Sequence, residues 1–148
     1  MLTALQAILL LAAVVNAVVG LAGGGLWWRV DPRPGWWPAL RAAQVASALA
    51  AVVAAVAYAS GTRPASGLFW LYVLLPFPVS FVAEQLRILS AQTVLDARGI
   101  PDAKAVGGLP DDQQRSVLRA ILRRELGVMA LAAIVVCFLL LRAYAQLT

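Results

Sequence analysis

The chain has 148 residues, of which 62% are hydrophobic and only 13% charged, about half the charge of an ordinary soluble domain. A body of this size cannot hide so much apolar surface from water, so composition excludes a soluble globule, a disordered chain and a disulfide-stapled secreted module, and leaves an all-α integral membrane protein folded as one four-helix domain. The 12 basic residues against 7 acids give a net charge of +5, which in such a chain marks cytoplasmic loops beside anionic head groups rather than nucleic acid, because no basic run is interleaved with stacking aromatics.

The first span is expected over about 2–28. It carries no charge, and no basic residue precedes it as one would in a signal peptide, so it reads as a retained helix. Gly20 and Gly24 lie four apart on one face, a close-approach spacing; the alternative reading is that the run Gly23–Gly25 loosens the last turn. Pro32, Pro34 and Pro38 break the chain, and the flanking pairs Trp27-Trp28 and Trp36-Trp37 place this hairpin at head-group level.

The second span, about 38–59, is dominated by alanine. Ala43, Ser47, Ala50, Ala51, Ala54 and Ala55 make a band too small to face lipid, expected at the centre of the bundle or at a homo-oligomer seam. The third span begins at Leu68, and its apolar part ends at Ala83. To cross a bilayer it must take in Glu84 and Gln85 with Arg87 snorkelling outward, so the span is about 68–90 with an extension to 98. Pro76 and Pro78 kink it and serve as a candidate hinge.

A long loop follows, and Pro110-Asp111-Asp112 opens a new helix, since proline suits the first position and acids suit the first turn. Over about 110–125 the apolar residues Val117, Leu118, Ile121, Leu122 and Leu126 oppose a stripe of Arg115, Arg119 and Arg123. Such a segment is expected to lie at the interface, with Arg123's neighbour Arg124 joining the stripe in binding lipid head groups. The fourth span is then about 126–144. Ten of the basic residues fall on or near the first and third loops and two on the other side. That bias predicts both termini outside and the larger loops in the cytoplasm. The arginine and alanine bias fits a GC-rich bacterial genome, hence a bacterial inner membrane.

Chemistry is sparse. Histidine is absent and Cys137 is the single cysteine, in an apolar run, so the commonest metal ligand and general base are missing. No cofactor is expected and an enzyme is disfavoured. Glu84 is the informative position, because an ionisable group inside a span is costly and often functional. Two readings stand: a proton- or cation-handling carboxylate, or an interface pair with Arg87 at i+3. Asn16, Gln44, Glu84 and Gln85 fall in the inner half of three helices, where they either line a polar vestibule or bond to one another. Two functions follow. One is a self-associating channel or transporter using Glu84, Arg87, Gln85, Asn16 and Gln44, with Pro76 and Pro78 as hinge. The other is a non-catalytic accessory subunit whose segment 96–125 docks a partner protein or lipid.

Overall fold

The computed structural model describes residues 1–31 and 33–147, so Pro32 of the first loop lies outside the described residues. It is all-helical: α1 (Leu2–Arg29), α2 (Trp36–Ala59), α3 (Leu68–Leu74), α4 (Pro76–Ala97), α5 (Ala103–Val106) and α6 (Asp111–Ala145). Taking α3 and α4 together, four helical stretches are long and apolar enough to cross a membrane.

α1 and α6 form the central pair, with α2 against α1 and α4 against α6. The pairing follows from glycine. A methyl group at Gly20 would stand 2.7 Å from Ile134 Cδ1, and one at Gly23 would stand 2.9 Å from Ala130 Cβ. The close face is therefore Gly20 and Gly23, three apart. Gly24, expected to pair with Gly20, has nothing within 4 Å of where its Cβ would be. Nor does the glycine run loosen the helix: α1 stays helical to Arg29 and closes with Val30 in the left-handed region at φ 55. Val30 N–H reaches Trp27 O at 3.2 Å and Asp31 N–H reaches Leu26 O at 3.0 Å, the two-bond C-terminal motif that glycine usually supports. A β-branched residue in that conformation is strained.

α2 starts at Trp36, two residues earlier than expected. Trp36 is not an interface residue. It is 5% exposed, its ring fills the space that Gly23 leaves open, and its indole N–H donates to Val19 O at 2.9 Å. The alanine band is buried inside the chain, through Ala43, Ser47, Ala50, Ala51, Ala54 and Ala57. Ala55 points outward, and Ala57 takes its place in the packed face. The outward face of α2 is Val45, Leu49, Val52 and Val56, so the small band is not presented to a second copy.

The prolines separate α3 from α4 at Leu75, yet Leu75 keeps right-handed helical angles. Its N–H bonds Leu71 O at 2.9 Å, and its carbonyl accepts from Val79 N–H at 3.1 Å. The axis continues and only the ladder is interrupted. Pro76 is buried and Pro78 is exposed.

The segment expected at 110–125 runs into the span expected at 126–144, and the two form α6, one unbroken helix of 35 residues, about 52 Å long and well beyond a hydrocarbon core of about 30 Å. Its first third does not break away to lie flat. It packs against the end of α4 and the α5 loop through a satellite core of Val94, Leu95, Ile100 and Val117. Asp102 caps α5 by accepting from Ala105 N–H at 2.8 Å. The third loop is thus the tip of a folded helical hairpin.

Candidate functional site

The polar residues expected in one vestibule fall into two separate groups. Asn16 is 2% exposed and lies between α1 and α2. Its amide donates to Ala12 O at 2.8 Å, to Ala43 O at 3.3 Å and to Ser47 Oγ at 2.9 Å. Ser47 Oγ in turn donates to Ala43 O at 3.0 Å. This knot is buried, and among the described residues no buried side-chain nitrogen or oxygen lacks a partner. It therefore serves packing, because a buried polar group is tolerated only when bonded.

The second group is charged. Arg41 Nη1 of α2 donates to Glu84 Oε1 of α4 at 2.5 Å and to Gln44 Oε1 at 2.7 Å. Arg87 Nε approaches Glu84 Oε2 at 3.5 Å, and its guanidinium lies over the Trp37 ring at 5.1 Å. Glu125 of α6 is within electrostatic reach of both Arg87 and Glu84. Two cations and two acids thus gather from three helices. Gln85 is exposed and takes no part, and Asn16 belongs to the other group.

Arg41 and Glu125 join the charged cluster although the sequence does not single them out; by sequence Arg41 is a charge near the first loop. Its position is legible in hindsight: it lies five residues into α2, about 7.5 Å of rise, level with the polar end of α4. Glu125 falls at the end of the expected interfacial segment, and the packing of α6 against α4 brings it within electrostatic reach of Arg87.

α2 and α4 hardly touch elsewhere. Between them lies a cleft of about 380 Å³, with Arg41, Gln44 and Glu84 at one end, Ser47 and Ser80 along it, and Pro76 and Phe77 at the far end. The ion pair bridges this cleft. Glu84 accepts from Arg41 across the cleft and meets Arg87 on its own helix, the geometry of a clamp between α2 and α4. Among the described residues no group of three or more metal-ligating side chains occurs.

The arginines expected to bind head groups are all exposed, but they do not share one surface. Arg115, Arg119 and Arg123 line a hollow of about 410 Å³ beside Val30 and Asp112, and the Arg123 guanidinium lies 5.3 Å from the Trp27 ring centre. Arg124 turns the other way, into a groove between α1, α4 and α6. No protein-family model matches this chain, and no curated protein or solved structure matches it significantly.

Proposed function

We propose that the chain is an integral protein of a bacterial cytoplasmic membrane that crosses the bilayer four times with both termini outside. In this reading it acts as a non-catalytic accessory subunit that docks a partner protein through its cytoplasmic hairpin. The observation that carries the proposal is the satellite core of Val94, Leu95, Ile100 and Val117. A loop that only connected two spans would need no core of its own. This one holds a folded surface beyond the apolar bundle, with Arg115, Arg119 and Arg123 on the face opposite Val117. Those charges favour an acidic partner at the membrane surface. The test is stoichiometric co-purification from the native host. Val117→Asp buries an unpaired charge in the satellite core and should abolish co-purification while the spanning helices stay folded. Retention of the partner by that variant, or purification of the wild-type chain with no stoichiometric partner, would overturn the reading.

A second reading, a small transporter, is favoured by the α2–α4 cleft with Arg41, Gln44 and Glu84 at its polar end. In that reading Glu84 is the coupling group, the Arg41 pair is a gate that opens when the cleft widens, and the interrupted ladder at Pro76 and Pro78 supplies the bend. The outward α2 face would form the self-association seam. Proteoliposome flux that is present in the wild type and lost in Glu84→Gln supports it, and flux insensitive to that change removes it.

A further inference from the structure

A groove of about 940 Å³ runs between the second half of α1, the middle of α4 and α6, at the upper end of the range for small-molecule sites. Its α1 wall is made by Gly24 and Gly25, where an added Cβ would meet nothing within 4 Å. Leu21, Leu86, Leu89, Leu131 and Ile134 supply apolar sides. The hydroxyl protons on α4 are already donated within the helix, Ser90 Oγ to Leu86 O at 2.7 Å and Thr93 Oγ1 to Leu89 O at 2.8 Å. Below Arg124 the slot therefore offers a ligand mainly hydrocarbon and no free hydroxyl proton.

Its polarity is graded. α1 and α4 run toward the hairpin end of the molecule and α6 runs away from it, so Trp27, Thr93 and Arg124 from three different helices lie together at one mouth. From Arg124 to Ile134 the groove descends about 15 Å along α6, roughly half of a hydrocarbon core. Arg124 is exposed and has no ion pair or hydrogen bond with another described side chain. An apolar slot one leaflet deep, with an uncompensated cation at its head-group end, has the shape and charge of an amphiphilic anion turned inside out.

We propose that this groove holds an acyl chain of an anionic phospholipid, with the lipid phosphate on Arg124. A helix of a second copy would fill the slot but bring no free counter-charge from the level of the groove, because Glu84 is bound by Arg41 and Arg87 and Glu125 lies within reach of the same Arg87. The inference rests on the membrane reading above and is independent of partner docking by the hairpin.

The test is native mass spectrometry of the full chain released from nanodiscs of mixed phosphatidylglycerol and phosphatidylcholine. The wild type should retain one lipid with a preference for phosphatidylglycerol. Arg124→Gln should lower that preference about fivefold, the equivalent of about 1 kcal/mol for one basic residue at the membrane surface. Gly24→Leu projects into open space and should displace the retained lipid of either kind, with circular dichroism reporting that the helices persist. Arg63→Gln, at the other end of the bundle, should change neither. Retention without anionic preference, or retention indifferent to both groove variants, overturns the proposal. So does a dimer that Gly24→Leu dissociates, which would give the groove to a second copy. A chain that stays monodisperse without detergent would fail earlier and would sink the membrane reading itself.

Discussion

The two helix pairs of this molecule are held by opposite means. α1 and α6 meet where side chains are missing: Gly20 admits Ile134, Gly23 admits Ala130 together with Trp36 from the start of α2, and a methyl at Gly127 would stand 2.9 Å from Trp27 Nε1. Contact at that distance is dispersion and shape, made by many small terms. α2 and α4 have no such residues facing each other, leave a cleft between them, and are joined by Arg41 and Glu84. The difference teaches that a bundle built largely of alanine and leucine places its rigid seam where glycine lets backbones approach, and keeps its charged groups for the seam that stays open. An atom added at Gly23 meets the Trp36 ring and Ala130 Cβ, so the first seam must shift to take it.

The sharpest way to break this contrast is to fill the tight seam. Gly23→Leu would drive a side chain into the Trp36 ring and should cost about 3 kcal/mol, the upper end of overpacking penalties, read as a lowered midpoint of thermal unfolding in detergent. Replacing the polar knot comes next. Asn16→Leu removes its bonds to Ser47 and the α2 backbone and should cost about 1 kcal/mol, within the range measured for hydrogen bonds between helices in membranes. The open seam should respond least. A double-mutant cycle on Arg41→Gln and Glu84→Gln should give a coupling energy of about 0.5 kcal/mol, because the Arg41 side chain is 51% exposed and exposed pairs contribute little. A coupling several times larger would mean that the cleft, and not the glycine seam, holds the bundle together.

Much of the architecture was legible because hydropathy and helix breakers act locally. The four long apolar helical stretches followed from run length, from the prolines between Trp28 and Pro38, and from Pro110 before two acids. The Glu84–Arg87 contact was legible too, since i+3 neighbours meet on any helix. Which helix faces Glu84 was not. Arg41 belongs to the cluster only because α2 and α4 stand at one particular rotation, and rotation depends on which faces pack. The same reason separates Asn16 from the cluster and sends Gln85 outward. Trp36 misled for a related cause: a Trp beside a loop fits a membrane interface, and only the hole at Gly23 draws this one inward. That 110–125 packs against α4 and α5 was not legible, because amphipathic character says which face is apolar but not whether lipid or a neighbouring helix covers it.

The sequence by itself determined the helical class, the four apolar stretches and the one-sided distribution of arginine, since each is a property of single segments and the solvent they prefer. Tertiary structure decided what those segments mean to one another: that the alanine band faces inward, that the third loop is a hairpin with its own core, that Glu84 bridges a cleft to Arg41, and that Arg124 parts from its stripe to stand over an apolar groove. Each of these depends on the relative rotation of packed helices, which is fixed by the summed fit of many side chains and is encoded at no single position.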